Sequence, residues 1–265
     1  MKYFLLTIVF LSCSLFTEAQ TAKYFKHLVF RETPYSKTEG RITLSEDESK
    51  NTNHFKLSYD ASNRLFLIEH LYKNNLIELN RSGLLDGKRV LAPKTQVDYS
   101  KNTETRIFFD VDNKPTSNGM GVFKEVYSYN KKGKRIGLKF YNKNDEPINN
   151  SWNIFEYMWE HVNNHSVLET RKDVNGVNVT IRPYYKFHNV LYKFNDKGLL
   201  LSMNNVDKRL KLINDETGVA IDKAHMIKIT TSLILSFLTL KTKQLLVHLW
   251  EQLVGLQPMT IMGIA

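Results

Sequence analysis

From Phe55 onward, apolar and polar residues alternate with period two, and short polar turns interrupt the alternation again and again. Phe55, Leu57 and Tyr59 interleave with Lys56, Ser58 and Asp60, and after Asn63 the run Leu65-Phe66-Leu67-Ile68 opens a second strand. The clearest instance is the turn Asn130-Lys131-Lys132-Gly133-Lys134, flanked by β-type runs at 126–129 and 135–141. Asn and Gly tolerate the left-handed backbone that a tight hairpin needs, and the aromatic and branched flanks suit a pleated surface. The same order recurs at 59–65 and 194–200: an aromatic, Asp or Asn, two free positions, Gly or Asn, then a new strand. The pattern predicts antiparallel hairpins in a meander, with turns at 61–63, 131–133 and 196–198.

Further turns are read at 84–90, at Asp173-Val174-Asn175-Gly176 and at Asn214-Asp215-Glu216-Thr217-Gly218. Residues 106–115 and 138–147 are cousins, each a strand with two aromatics, a polar turn, then Pro115 or Pro147. Proline cannot donate in a central ladder and so ends the strand. Residues 150–162, with Trp152, Phe155, Tyr157 and Trp159, read as another strand. Similar elements near Tyr157, Tyr192 and Lys228 stand roughly 35 residues apart, a period suited to stacked supersecondary units.

The chain therefore divides into a signal peptide (1–19), a polar N-terminal β segment (20–54), a β-hairpin repeat domain (55–228) and an apolar tail (229–265). The fold class expected is mainly β, an antiparallel hairpin-repeat meander, with an atypical and helical C-terminal tail. Lys2, the apolar stretch 3–16 and the small residues Thr17 and Ala19 before Gln20 make up the secretory leader. That run falls short of the ~20 residues that span a bilayer. The competing reading is lipidation at Cys13, because Phe10-Leu11-Ser12-Cys13 loosely resembles a lipobox. Export to the periplasm, the outer surface or the medium is expected either way. Cys13 is the single cysteine, so a mature chain cut at Gln20 has no disulfide and stands on burial and β pairing.

At 265 residues the chain is long enough to bury a core, and 13 Tyr and 15 Phe favour β structure. Its net charge of +10 suits polyanionic neighbours. Lys131-Lys132-Gly133-Lys134-Arg135 is the densest basic cluster; it reads as a solvated hairpin tip, and no nucleic-acid groove is expected.

The turn motifs Tyr59-Asp60-Ala61-Ser62-Asn63-Arg64-Leu65, Tyr129-Asn130-Lys131-Lys132-Gly133-Lys134-Arg135 and Phe194-Asn195-Asp196-Lys197-Gly198-Leu199-Leu200 resemble the YD repeat of RHS-type proteins. More broadly, they are similar to hairpin-repeat surface proteins of the Bacteroidetes type. The resemblance covers 55 to about 228; it implies architecture and location and carries over no catalytic residue.

Candidate chemistry is sparse. Glu156, Glu160, His161 and His165 are the best metal candidates, but their order is not that of a zinc protease helix and the surrounding pattern is strand and turn. Asp110-Val111-Asp112 opens like a calcium loop, yet Lys114 stands where a third oxygen ligand is needed. No nucleophile motif is present. The expectation is no catalytic residue, no metal and no cofactor. Tyr127, Tyr129, Tyr141, Trp152, Tyr157 and Trp159, with Tyr184 and Tyr185, are the binding candidates, because exposed aromatic faces supply contact area at low entropy cost. A scaffold for a protein or glycan partner is the favoured function. A hydrolase with a site assembled from distant residues and a purely structural envelope protein are the alternatives.

The tail breaks the pattern. Tyr, Asn, Asp and Arg recur upstream, but 230–265 contains none of them, and Leu, Ile, Thr and Met take over. As written, Leu245, Leu246, Leu249 and Leu253 would share a helix face. Read one frame over, the codons of Trp250-Glu251, Met259-Thr260 and Met262-Gly263 force Gly, Asp and Gly. Permissive neighbours complete Tyr-Asp-Tyr-Tyr-Gly-Asn, another turn motif. A frameshift near residue 230 that replaced a further repeat is the expectation.

Overall fold

The computed structural model describes residues 21–29, 31–79, 91–182, 185–229 and 232–238. The leader, Cys13, the turn expected at 84–90, Tyr184 and the tail beyond 238 lie outside the described residues. The alternation does yield strands: β1 (Thr21–Leu28), β2 (Gly40–Leu44), β3 (His54–Tyr59), β4 (Leu65–Tyr72), β5 (Asn75–Leu76), β6 (Lys94–Ser100), β7 (Thr103–Phe109) and β8 (Lys124–Tyr129). They continue as β9 (Arg135–Tyr141), β10 (Glu156–Asn163), β11 (Ser166–Lys172), β12 (Val190–Phe194), β13 (Leu200–Asn205), β14 (Ile221–Ile229) and β15 (Ser232–Leu238). One antiparallel sheet holds them all. From β6 to β15 each strand pairs with the next in sequence; at the other end the order is β4-β3-β1-β2, and β5 pairs only with β4.

Two expectations change here. Residues 20–54 are not a separate segment: β1 inserts beside β3 and carries β2 on its far side, so the first hairpin extends the repeat sheet. The connection back to β3 is a five-residue helix, Glu46–Lys50, started by Ser45 in a capping box with Glu48. In the tail, Ser232–Leu238 pairs with β14 as a strand, where a helix was expected. A short apolar run fits either element, and the open backbone edge of β14 decides in favour of the strand. Among the described residues no helix is long and apolar enough to cross a membrane.

Among the described residues one local device recurs ten times. At Asp60, Asp110, Asn118, Asn130, Asn142, Asn150, Asp173, Asn195, Asp207 and Asp215 the side-chain Oδ1 accepts the amides two and four residues on. The backbone closes the same five residues, with amide i+3 donating to carbonyl i and amide i donating to carbonyl i+4. Position i+3 has positive φ in all ten turns; it is Gly in five and Asn in three. Such a turn satisfies its own polar groups and needs no core around it. Asn150 starts one of these turns, so the strand expected over 150–162 begins only at Glu156.

The turns alternate between two ends of the sheet. At the narrow end they join adjacent strands directly: β3–β4, β8–β9 and β12–β13. At the wide end Asp110, Asn142, Asp173 and Asp207 stand 32, 31 and 34 residues apart. Each is followed by one isolated bridge, Phe109 with Pro115, Tyr141 with Pro147, Lys172 with Asn178 and Val206 with Leu212. The unit is two strands and about 32 residues, slightly shorter than expected. Loop residues Val122, Ile154 and Phe187 at the wide end are wholly buried among strand residues such as Tyr127, Tyr157 and Tyr192, so these loops fold onto one face of the sheet.

Candidate functional site

That covered face is lined by charge as well as by rings. Following strand partners, Tyr99, Glu104, Tyr127, Leu138, Tyr157 and Arg171 form one row across six strands. Period two places Arg106 on the same face as Glu104, and Arg171 beside Glu169. The tripeptide Glu-Thr-Arg occurs at both places, 65 residues or two repeats apart. Glu104 binds Arg106 at 2.6 Å and Arg135 at 3.1 Å, and Tyr129 donates its hydroxyl to it. Burial alone would raise the Glu104 carboxyl, but the two guanidinium groups outweigh it and hold the pKa at about 2. Glu125 lacks so close a cation; burial pushes it up despite Arg106 and Arg31. Glu169 accepts from Arg171, from the Trp159 indole at 2.8 Å and from the Tyr192 hydroxyl at 3.3 Å.

A strap closes over this network. Residues 31–38, between β1 and β2, cross the face and are held there strand by strand. Arg135 Nη1 donates to the carbonyls of Pro34, Tyr35 and Ser36 at 2.9, 3.2 and 3.1 Å. Arg106 donates to Thr38 Oγ1, Thr33 donates to Glu169, and Arg182 pairs with Glu32. The Tyr35 ring packs on Trp159, His161 and Phe194. The carboxylates of Glu32, Glu104 and Glu169 are thus engaged and buried, an arrangement that ties the strap to the strands.

The aromatic candidates do not converge on a surface. Tyr127, Tyr157 and Trp159 are core, 1%, 3% and 4% exposed, and Trp159 stacks with both tyrosines. Tyr129 is half-buried against Glu104, Tyr141 lies under Lys124 and Trp152 under Arg182. Tyr185 donates to Asp222. The metal candidates separate as well. Glu156 pairs with Lys139, His165 lies 3.6 Å from Asp196, and His161 Nε2 donates to the Arg135 carbonyl. Strand alternation puts His161 on the opposite face from Glu156 and Glu160.

What opens to solvent is a cleft at the narrow end. Pairing of β9 with β10 brings the 130–134 turn beside the 163–165 turn. Between them lies an open cleft of about 460 Å³ lined by Lys131, Lys132, Lys134, His161, Asn163 and Asn164, with Asn130 at its edge. Its lining contains no carboxylate, and the three lysines are exposed and form no ion pair among the described residues. Asn163 Oδ1 already accepts the His165 amide, so its NH₂ is the group left over. The cleft offers donors and positive charge. In sequence these lysines read as a solvated tip, because Lys131 and Asn163 are neighbours only through strand pairing. No protein-family model matches the chain, and no curated protein sequence matches it.

Proposed function

We propose that the chain is an exported β-repeat scaffold, secreted or held at the cell surface, that binds a protein or glycan partner and catalyses nothing itself. The observation that carries this reading is the contrast between covered and open polar groups. The carboxylates of Glu104 and Glu169 are held under the strap, whereas the hairpin tips stand in a row with the donor-lined cleft among them. The YD-like turns and the secretory leader support the same reading, since repeat hairpins displayed outside the cell serve as frames for contact. Two measurements test it. Intact mass of the exported protein should show a chain beginning at Gln20, and a lipid on Cys13 or retention in the cytoplasm would overturn the soluble-export part. Binding to an immobilised panel of glycans and surface proteins should be saturable. Turnover of hydrolase substrates that is lost in His161→Ala or His165→Ala would overturn the scaffold.

A further inference from the structure

Resting on that reading, we infer that the narrow-end cleft takes the acidic groups, sulfate or uronate, of an anionic polysaccharide. Lys131, Lys132 and Lys134 lie within four residues of one turn whose own polar groups are already satisfied by Asn130, so their ammonium groups are not needed to hold the fold. Opposite them the 163–165 turn supplies the amide donors of Asn163 and Asn164. Neighbouring tips continue the positive row with exposed Lys101 on one side and exposed Lys197 on the other. Tips two strands apart are spaced by about 9.6 Å, so a linear polymer lying across them meets lysine at the Lys101, Lys131 and Lys197 tips and amide donors at the 163–165 tip between the last two, where Asp196 stands 3.6 Å from His165. The class of polymer follows from what the cleft lacks. His161 is its single ring and packs against Tyr35 at 5.7 Å, so no free aromatic face is offered for stacking bases. Ionic and amide contacts without stacking suit acidic sugars better than single-stranded nucleic acid.

The test measures binding of the mature chain to heparin, to polygalacturonate, to neutral dextran and to single-stranded DNA at several salt concentrations. Lys131→Ala/Lys132→Ala/Lys134→Ala should weaken the acidic polysaccharides roughly tenfold or more and flatten their salt dependence. A control with the same charge change at the wide end, Lys143→Ala/Lys208→Ala/Lys211→Ala, should change binding less than about twofold. Equal losses in both variants would reduce the effect to net charge and overturn the site. DNA bound more tightly than either acidic polysaccharide, with the same lysine dependence, would overturn the ligand class. Failure of every polyanion while a neutral glycan or a protein from the panel binds would sink this inference and leave the scaffold standing.

A different observation carries a second inference. The period of the fold places narrow-end turns at Asn130, Asn163 and Asn195, spacings of 33 and 32, so the next two belong near 227 and 260. The chain as written has no Asp, Asn or Gly from 226 to 254. In the standard code the junction of the Met226 and Ile227 codons, read one frame over, spells Asp, and the His225–Met226 junction before it spells Tyr or His. The Met259–Thr260 junction spells Asp again, and Met262–Gly263 spells Gly three places later. At the wide end the series 110, 142, 173, 207 asks for a turn near 241, where the Lys241–Thr242 junction spells Asn or Asp. Gly218 plus one period falls on the Trp250–Glu251 junction, which spells Gly. Thr, Ile and Met codons begin with the two bases that end Tyr, His, Asn and Asp codons, so a Thr-, Ile- and Met-rich tail is what such a repeat looks like out of frame. We infer that the array continues in the alternate frame from about codon 225, a few residues earlier than composition alone suggested. Sequencing the coding DNA decides it. An open alternate frame spelling turn residues at these four places is expected, and a stop codon before codon 260 in that frame would end the idea.

Discussion

The covered face and the narrow end of this sheet handle charge in opposite ways. On the face, Glu104, Arg106, Arg135, Glu169 and Arg171 are each at most 7% exposed, and every one has a charged partner. At the narrow end Lys131, Lys132 and Lys134 have none among the described residues. The difference teaches which charges the fold depends on. A buried ion costs several kcal/mol to dehydrate and is tolerated only with fixed partners, so its loss leaves an uncompensated charge behind. An exposed ammonium costs the fold almost nothing and remains free for a ligand.

The largest effect should come from Glu104→Ala, which strands Arg106 and Arg135 under the strap. Chemical denaturation should show a loss of roughly 3–5 kcal/mol. A loss under 1 kcal/mol would mean that the face does not need its charges.

Acid should act on the same group. The folded pKa of Glu104, about 2, lies below its ordinary value of 4.5, so its contribution is complete above pH 4.5 and disappears as pH falls through 2. Unfolding followed from pH 5 to pH 2 should lose on the order of 3 kcal/mol through this group, and Glu104→Gln should flatten that slope. Glu125, raised by burial, acts with the other sign: what it contributes is present at low pH and is lost as pH rises through its shifted value.

Gly133→Val tests the turn that carries the lysines. Gly133 sits at φ +70° with nothing within 4 Å of where a Cβ would be, so the cost is backbone conformation alone. A loss of about 1–2 kcal/mol is expected, with binding weakened as the tip shifts. The smallest effect on stability should belong to Lys131→Ala/Lys132→Ala/Lys134→Ala, with a melting free energy within about 0.5 kcal/mol of the parent. Should that variant unfold instead, the lysines would be structural and the contrast between the two regions would fail.

Much of the architecture was legible because its turns are local. An Asx residue, two free positions and a residue tolerant of positive φ can be read in five letters, and the predicted turns at 61–63, 131–133 and 196–198 are where they were expected. The turn with Leu210 in the left-handed position is not legible, because leucine does not advertise that conformation, whereas the turn holding Asp145 is legible from its polar run before Pro147. The charged face was harder. The repeated Glu-Thr-Arg was a usable signal, since two like-placed ion pairs on inward positions mark a covered polar face, but aromatics drew attention first. Three of those aromatics proved to be core. The strap could not be read at all: 31–38 is short, mixed in polarity and defined by partners a hundred residues away.

That distance sets an order of assembly. The hairpins close over turns of five residues, whereas the strap's contacts with Arg135, Glu169 and Arg182 span 99 to 150 residues. Loop-closure entropy makes the short contacts early and the long ones late. The strap is made before its partners and is therefore late to settle. Until Arg182 has been synthesised and its strands have paired, the chain carries a row of carboxylates and guanidinium groups with no lid. Closing the strap over them is the step that completes the interior.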